Sequence, residues 1–530
     1  MREPVDRISR RLSWAALALV LLAIAAIRAR LLGVPLERDE GEYAYIGSLL
    51  LHGVAPWAEA WNMKLPGIYA VYALLIGVGG PSASAIHAGL LVANTWNALA
   101  CALLARRWLG DGAALVAGAA YAAMSVSTSV LGLWSHAEPF ALVLALAGLL
   151  LAVDARGGAA LAGAGVLLGA AFVVKQNAAP LSAFGAAWVA WRELRSEPRA
   201  TGRSARRLAL FAAAVALPFA ATAGALLLAG VFPRFWFWTV TYAASYGGQQ
   251  SARQGLAELA DRVPALLRAQ GVWWLLAAIG ASAPLWKPEL RASAPFALGL
   301  LAAGIASASL GFYYRPQYFV LLLPALALLA GAGAEAIAPR ATRAHAYACA
   351  GLALAGLVTP IGVESGLLLR ATPERVSRAV FGQNPFPEAV VLARRIAAET
   401  APDARIAVIG SEPEIYFYSG RRAATGYVYT YPLMEPQPYA RRMQEEMIRE
   451  LDSARPELLV FVNVPTSWLA RPDSPQLLFE WVERTARADY ERIGVADIVS
   501  STQTNYVFGD AARSYVPRSP YWVSLLRRKS

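Results

Sequence analysis

The sequence has little charge and very little cysteine or histidine. Asp, Glu, Lys and Arg make up 16% of its 530 residues, whereas they form about one quarter of a typical soluble domain. Cys101 and Cys349 both lie in apolar segments, where a thiol behaves as a small hydrophobic group, so no disulfide framework is expected. The four histidines lack the spacing of metal ligands, which argues against a zinc site. The missing charge indicates long segments buried in a membrane.

Eleven apolar segments are predicted to cross the membrane, because each offers close to the roughly 20 residues that span the hydrocarbon layer. The predicted spans are 12–34, 83–105, 113–133, 138–154, 158–174, 178–192, 208–230, 271–287, 293–311, 317–335 and 345–368. Segment 66–80 is apolar but short and broken by glycine, and it is predicted to be re-entrant or interfacial. If it crossed the membrane instead, the C-terminal tail would be cytoplasmic.

The net charge of +12 comes from basic residues in alternate loops, not from one basic patch with interleaved aromatic residues, so nucleic acid is not an expected partner. With Met1–Arg11 in the cytoplasm, the basic run Arg192–Arg207 falls on the same side, as the positive-inside rule requires. The exceptions lie in a long outward loop, where the rule is weak; they are Arg234, Arg253, Arg262 and Arg268. The sequence predicts a multi-pass protein of a bacterial-type inner (plasma) membrane, with a cytoplasmic N-terminus and an extracytoplasmic C-terminal domain.

Two domains are predicted from the change of composition near residue 370. Residues 1–369 form the membrane domain, with a first extracytoplasmic loop at 35–82, and residues 370–530 form a soluble α/β domain. In the second domain charge and proline return, and helical and strand-like segments alternate, which favours a small sheet covered by helices. Its predicted strands are 405–410, 458–463, 491–496 and 505–509, and its predicted helices are 388–400, 439–454 and 477–489.

The first outward loop contains three carboxylates within four residues, Asp39, Glu40 and Glu42. A capping box with Asp39 as the N-cap and Glu42 three residues later explains two of them and leaves Glu40 unexplained. The functional alternative is that Asp39 or Glu40 accepts the proton of a substrate hydroxyl. The sequence leaves both interpretations open.

A second acid, Glu138, begins a predicted span at the next outward junction, two residues after His136. It is explained either by the dipole of that helix or by a shared cavity with the first loop. Lys64, Lys175 and Arg315 all lie at outward ends of predicted spans. Each alone is explained by a side chain reaching the membrane interface, but together they would suit a substrate that carries phosphate.

The stretches DEGEYAYIG, NMKLPGIY, SHAEPF, VVKQ and YYRPQYFVLLLPALALLAG occur in this order along the chain. Because of these five stretches taken together, the sequence resembles the GT-C type of integral-membrane glycosyltransferase. It is similar to the protein O-mannosyltransferase and lipid A aminoarabinose transferase families. The resemblance implies a GT-C-like helical membrane domain. It also implies inverting transfer of a sugar from a polyprenyl-phosphate donor of the undecaprenyl-phosphate kind to an extracytoplasmic hydroxyl of a glycan, lipid or protein acceptor.

The resemblance also implies roles for individual residues. Asp39 would be the base, with Glu40 beside it, and Glu138 would support the site. Lys64 falls where the families have a lysine suited to the lipid phosphate, although one proline follows Leu65 where two are common and the preceding acid is absent. The other expected substrate-binding residues are Lys175, Arg315, Tyr43, His136 and Tyr318. No cofactor is expected to be required; if a divalent metal binds, Asp39 and Glu138 are its expected ligands.

Two further functions remain open at the level of sequence: a lipid-linked saccharide transporter or flippase, and a non-catalytic membrane scaffold. The chain does not show the paired halves with matching broken helices that inverted-repeat transporters have. The tail is expected to lie over the mouth of the cavity, to shape acceptor access and to contribute no catalytic carboxylate. Its most suggestive acids, Glu412 and Glu414, are interpreted as helix-start residues around Pro413.

Overall fold

The computed structural model describes residues 2–196, 201–339 and 342–529, with side chains for 9–195, 202–339 and 343–529. Fifteen α-helices precede residue 364 in these ranges. They are α1 Arg2–Arg30, α2 Arg38–Leu51, α3 Gly67–Gly79, α4 Ala83–Leu109, α5 Asp111–Val126, α6 Ala137–Asp154, α7 Gly158–Val174, α8 Ala179–Ser196, α9 Thr201–Leu228, α10 Phe232–Trp236, α11 Ala243–Gly247, α12 Ala252–Ser282, α13 Ala294–Ser309, α14 Leu323–Ile337 and α15 Thr342–Val363.

Eight helical segments of the described chain are long and apolar enough to cross a membrane. They are Ser9–Arg30, Ala83–Leu109, Ala137–Asp154, Gly202–Leu228, Ala252–Leu285, Ala294–Phe312, Pro316–Ile337 and Arg343–Val363. Each matches one of the eleven predicted spans. The other three predicted spans correspond to α5 and α7, apolar helices of 16 and 17 residues, and to α8. Exposed leucines such as Leu228 and Leu19 give these helices an apolar outer surface suited to lipid.

Helix α12 differs from the prediction for its region. Residues 252–270 were assigned to a loop, but they form the first half of a continuous helix of 31 residues. Ser251 and Gln254 form a capping box at its start, which stabilises the early turns despite their charges. At about 1.5 Å per residue the helix is about 46 Å long, longer than the roughly 30 Å hydrocarbon layer. Its first half therefore extends beyond the apolar layer and carries Arg262 to the cavity described below.

The tail is a six-stranded mixed sheet with helices packed around it. The sheet order is β2-β1-β3-β6-β4-β5; β1 pairs in parallel with β2 and β3, and the remaining pairs are antiparallel. The strands are β1 Arg405–Ile409, β2 Arg422–Ala423, β3 Leu458–Asn463, β4 Tyr490–Ile498, β5 Thr504–Phe508 and β6 Trp522–Arg528. The helices are α16 Pro373–Phe381, α17 Phe386–Glu399, α18 Glu414–Ser419, α19 Tyr431–Met434, α20 Ala440–Ala454, α21 Pro465–Trp468, α22 Leu477–Asp489 and α23 Asp510–Ser514.

Strand β6 was not predicted from the sequence, although it lies in the middle of the sheet. It pairs with β3 on one side and with β4 on the other. Its apolar run is short and ends in two arginines, a pattern that is also typical of an unstructured terminal extension. Pairing on both edges buries Val523–Leu526. The C-terminal end of the chain thereby joins the two halves of the sheet.

The tail packs directly on the segment that follows α1, the predicted first outward loop. Gly41 on α2 lies against α18, where a Cβ atom would be 2.5 Å from the backbone nitrogen of Glu414. The backbone N–H of Leu36 donates to the Tyr418 hydroxyl at 2.9 Å, and that of Ala423 donates to the Tyr45 hydroxyl at 2.8 Å. Helix α2, which carries the three sequence-predicted carboxylates, is therefore held between the membrane helices and the sheet.

Candidate active site

The cap of α2 is shifted from the sequence prediction, and the shift exchanges the roles of its acids. The N-cap is Glu37, whose side chain accepts from the Glu40 backbone N–H at 3.0 Å, while the Glu40 side chain accepts from the Glu37 N–H at 3.0 Å. The interpretation of Asp39 and Glu42 as the capping pair is wrong. Glu40, which the sequence left unexplained, is the capping residue. Asp39 and Glu42 are therefore free to bind other groups.

Asp39 and Glu42 share the ammonium group of Lys64. Lys64 Nζ lies 2.7 Å from Asp39 Oδ1 and 3.0 Å from Glu42 Oε2. Glu42 is fully buried and also accepts from Asn62 at 2.7 Å and from the Tyr69 hydroxyl at 2.7 Å. Glu42 thus fixes the position of the Lys64 ammonium group. The Asp39 side chain keeps 19% of its exposure and is the carboxylate that faces open space.

That open space is a cavity of about 1080 Å³ between the membrane helices and the tail. Six cationic side chains line it, three of which the sequence analysis singled out. The cations are Arg38, Lys64, Lys175, Arg262, Arg315 and Arg471. The wall also includes Asp39, Tyr318 and His136, three further residues expected at the site. Four acids also line it, Glu37, Asp39, Glu258 and Glu435, so cations outnumber acids by six to four. A cavity of this size with an excess of cations can hold a large anionic substrate.

Glu40 and Glu138 were expected to line this cavity, and that expectation is wrong, because both are fully buried. Besides the cap, Glu40 accepts from the Ser135 backbone N–H and lies 2.9 Å from His87 Nε2. This contact ties α2 to α4 and to the segment before α6. Glu138 Oε1 lies 2.9 Å from Lys175 Nζ. Each acid lies beneath the residues that line the cavity, where it can hold one of those residues in position.

Tyr43 is buried as well, with 1% of its surface exposed, and it contacts Lys64 rather than the cavity. The Lys64 ammonium lies 4.7 Å from the Tyr43 ring centre and 5.5 Å from that of Tyr429, both within range of a cation–π contact. Lys175 lies 5.2 Å from the ring centre of Tyr318. Aromatic rings therefore flank two of the cavity's cations and limit their orientations.

The charges around Asp39 determine its ionisation. Burial opposes the charged form, but Lys64 and His136 outweigh burial and hold the pKa of Asp39 well below its ordinary value. Burial also opposes the charge of Lys64, yet Asp39 and Glu42 keep its pKa well above the usual range. At neutral pH both groups are therefore ionised. Burial raises the pKa of Glu37, and the charges of Asp39 and Glu40 add to that rise.

Glu37, Asp39 and His136 form a group whose donor atoms lie within 4.8 Å of one another. His136 Nδ1 is 3.8 Å from Glu37 Oε1 and 3.9 Å from Asp39 Oδ2. Burial lowers the pKa of His136, and neither ring nitrogen has a hydrogen-bond partner within the described chain. These three residues fit a divalent cation. Of the expected metal pair, Asp39 belongs to this group, whereas Glu138 lies outside it and contacts Lys175.

The sequence analysis also missed the residues that the tail contributes. Arg38 Nε donates to the Ser411 carbonyl at 2.6 Å, and an Arg38 terminal nitrogen lies 3.0 Å from Glu412 Oε1. Tyr429 and Arg471 add a wall opposite the membrane helices. No sequence signal marks Arg471, because its neighbours are loop residues. Arg38 adjoins the predicted acids, and its burial could have been suspected from that position alone.

Glu412 and Glu414 were both interpreted as helix-start residues, and this is wrong for Glu412. Helix α18 begins at Glu414, while Glu412 precedes it and binds Arg38 and the Ser467 hydroxyl, the latter at 2.6 Å. Glu414 is fully buried, and neither of its carboxylate oxygens has a hydrogen-bond partner in the described chain. Burial, with the charge of Glu412 added, raises its pKa well above the ordinary value.

No protein-family model and no curated protein sequence matches this chain. Among solved structures, it is similar to ArnT from Cupriavidus metallidurans bound to undecaprenyl phosphate, with a TM-score of 0.59 and 16% identity over 96% of this chain and 97% of that one. The same protein in the apo state gives a TM-score of 0.56 at 16% identity, with the same coverage of both chains. An oligosaccharyltransferase from Archaeoglobus fulgidus, crystallised with Zn and sulfate, gives 0.45 at 13% identity over 92% and 73% of the two chains, a likeness too weak to carry an argument. The chain therefore has the fold of ArnT, which is the GT-C membrane fold expected from its motifs.

Proposed function

We propose that this protein transfers a sugar from a polyprenyl-phosphate donor to a hydroxyl group of an acceptor. One observation carries the proposal: an ionised carboxylate, Asp39, lies at the wall of a large cationic cavity in the fold of ArnT, a protein crystallised with undecaprenyl phosphate. The cations suit the phosphate, and the carboxylate suits an attacking hydroxyl.

The reaction is a direct displacement at the anomeric carbon. The acceptor oxygen forms a bond to that carbon as the bond from carbon to phosphate oxygen breaks, and the bonding electron pair leaves with the polyprenyl phosphate. The acceptor proton passes to the Asp39 carboxylate. Attack on the face opposite the leaving group inverts the configuration. Each step conserves charge, because the negative charge lost at Asp39 reappears on the phosphate.

Asp39 is favoured over Glu40 as the base because of access. Glu40 is fully buried and occupied by the cap, Ser135 and His87, whereas Asp39 lines the cavity. A donor phosphate that attracts Lys64 would weaken the pull of this lysine on Asp39. The Asp39 pKa would then rise from its lowered value towards the ordinary range, which makes it a better proton acceptor when the donor is bound.

The cations are arranged to stabilise the leaving phosphate. Lys64 is next to the base, while Lys175 follows the end of α7 and Arg315 precedes the segment that leads into α14, and both line the same cavity. Positive groups aimed at charge that develops during the reaction stabilise the transition state more than the bound substrate. Glu138 acts through Lys175, which it holds at 2.9 Å, and is thus a positioning residue in this proposal.

No metal is required by this chemistry, because the departing group is already a phosphate. Glu37, Asp39 and His136 are the residues that would hold a divalent ion, and such an ion would supply further positive charge for the phosphate. The proposed metal-independent reaction relies on Lys64 for that charge. The acceptor is proposed to enter past the tail wall of Tyr429 and Arg471, from the extracytoplasmic side of the inner membrane.

The purified protein should be incubated with radiolabelled polyprenyl-phosphate sugars and with membrane extracts as a source of acceptors. We expect one label to move to an acceptor with release of polyprenyl phosphate, and we expect Asp39→Asn to abolish this while donor binding remains. Transport of intact donor across proteoliposomes without bond cleavage would support a flippase instead. Donor binding with neither cleavage nor transport would contradict both and favour a scaffold.

A further inference from the structure

Three metal-ligating side chains meet near the ends of α14 and α15, outside the cavity. His345 Nε2 lies 3.0 Å from Glu335 Oε1 and 3.6 Å from Cys349 Sγ. All three donor atoms lie within 4.8 Å of one another. The cysteine is buried, while the other two side chains retain 23% and 17% of their exposure, for His345 and Glu335 respectively. The group is therefore sheltered, with access from one side.

This cluster lies at the opposite end of the helices from the candidate active site. Helix α14 starts just after Tyr318, a cavity residue, and Glu335 lies near its other end. Helix α5 likewise ends near Leu131, another cavity residue, and begins beside the cluster at Gly112. The predicted orientation places the cluster at the cytoplasmic end. A ligand bound here would not touch the proposed donor site.

The three donor atoms all lie against Gly112, whose missing side chain leaves room for them. A Cβ atom on Gly112 would lie 2.6 Å from His345 Nε2, 3.0 Å from Cys349 Sγ and 3.1 Å from Glu335 Oε1. Zinc bonds of about 2.0 to 2.3 Å at tetrahedral angles place neighbouring ligand atoms roughly 3.3 to 3.6 Å apart. The two separations from His345 Nε2, 3.0 and 3.6 Å, are close to these values, and Glu335 Oε1 and Cys349 Sγ, which lie within 4.8 Å of each other, reach them by side-chain rotation.

The surrounding chain holds the ligands in place. His345 and Cys349 are four residues apart on α15 and so share one helix face. The Ala113 backbone N–H donates to Glu335 Oε1 at 3.1 Å, the kind of outer contact that orients a metal-binding carboxylate. Asp111, the nearest further acid, is engaged with Arg106 at 2.9 Å and Trp14 at 2.9 Å. Asp111 is therefore already bound by other side chains.

We propose that Glu335, His345 and Cys349 bind a thiophilic divalent cation of the Zn²⁺ type, which links α14 to α15 beside the start of α5. Thiolate and imidazole ligands select such ions over Mg²⁺ or Ca²⁺. Binding releases the Cys349 thiol proton and any imidazolium proton of His345. The thiolate and the Glu335 carboxylate then balance the two positive charges of the ion. Water completes the fourth, exposed position.

Cobalt substitution tests the proposal with a readout independent of activity. The purified full-length protein should be titrated with Co²⁺ under anaerobic conditions while the near-ultraviolet thiolate-to-cobalt charge-transfer absorption is recorded. We expect the band to saturate at one equivalent, to disappear on addition of Zn²⁺ and to persist in excess Mg²⁺. Any ion at Glu37, Asp39 and His136 would give no such band, since that group contains no sulfur.

Four variants complete the test. Cys349→Ser and Gly112→Ala should both lose the band, the second because the added Cβ atom would push apart the three ligand side chains, all of which remain. Cys101→Ser should keep it, because Cys101 is buried elsewhere, and Gly351→Ala should keep it, because a Cβ atom on this α15 glycine meets open space. Absence of the band in the unmodified protein, or its survival in Cys349→Ser, would overturn the proposal.

Discussion

Replacement of Asp39 by Asn is expected to separate activity from stability more cleanly than any other change at the site. Asn has almost the same shape but cannot accept the acceptor proton. Loss of a general base reduces the rate by about 10² to 10⁴-fold, so we expect at least a hundredfold fall in kcat, equivalent to about 2.7 kcal/mol of transition-state free energy.

The charge network explains why the variant should remain folded. In Asp39→Asn, Lys64 keeps its 3.0 Å contact with Glu42, and the new amide oxygen still accepts a hydrogen bond from Lys64. The trio of Asp39, Glu42 and Lys64 carries a net charge of −1, and the variant makes it neutral. We therefore expect the free energy of unfolding at pH 7 to fall by no more than about 3 kcal/mol, the upper end of the contribution of a hydrogen bond to a charged group, because the amide oxygen keeps part of the contact.

The pH dependence provides a second measurement. The Asp39 pKa is lowered in the folded protein, so its stabilising contribution is complete above the ordinary aspartate pKa of about 3.9. That contribution is lost as the pH falls from there through the lowered folded value. Asp39→Asn should abolish this part of the acid dependence of the melting temperature.

The assay is release of polyprenyl phosphate from labelled donor, with the melting temperature measured in the same detergent. Glu59→Gln is the matched control, because Glu59 lies in the same loop but faces Arg405 and Arg422 of the tail, both at 3.4 Å. It should retain activity within several-fold. A folded Asp39→Asn protein that kept more than about a tenth of its activity would refute the assignment, since loss of a base costs far more.

Lys64→Met should lower kcat/KM for the donor by about 10 to 100-fold, the worth of a charge-assisted hydrogen bond, and Lys64→Arg should recover part of the loss; equal effects of both would contradict phosphate binding. Glu412→Gln should lower the melting temperature and the activity together, because it weakens the contact that holds Arg38; an unchanged protein would contradict this link. Glu414→Gln should keep activity within several-fold and raise the melting temperature at neutral pH. The Glu414 pKa is raised, so its contribution to stability is lost as the pH rises above the ordinary glutamate value of about 4.3; a lower melting temperature of the variant at pH 7 would oppose this. Chelation with EDTA should leave transfer unchanged, and activity that returned only with Mg²⁺ or Mn²⁺, and was lost in His136→Ala, would make the metal essential.

Much of the fold could be predicted because long apolar runs have few alternatives in a membrane. A segment such as 83–105 must form a helix to satisfy its backbone in lipid, and the structure has α4 there. Elements of the tail could also be predicted from local patterns, and Leu458–Asn463 forms the predicted buried strand. Strand β6 was missed because its place depends on partners that are distant in the sequence, β3 and β4.

The candidate site could be predicted only as a set of residue types. Local spacing pointed to Asp39, Glu40 and Glu42 together, but it assigned the cap to the wrong members. The difference is a shift of two residues at the start of α2, which turns Glu40 inward to His87 and leaves Asp39 at the cavity. A cap depends on backbone conformation, and here the contacts of α2 with the tail and with α4 determine that conformation.

The sequence by itself determined that the protein is a membrane helix bundle with an α/β tail. Hydropathy and the alternation of helical and strand-like segments can both be recognised in short stretches of the chain. The tertiary structure alone decided which charges meet. It brought Arg38 to Glu412, Lys64 to both Asp39 and Glu42, and His345 to Glu335. Charges attract over a few ångströms whatever their separation along the chain, so these pairings exist only once the helices and the sheet have packed.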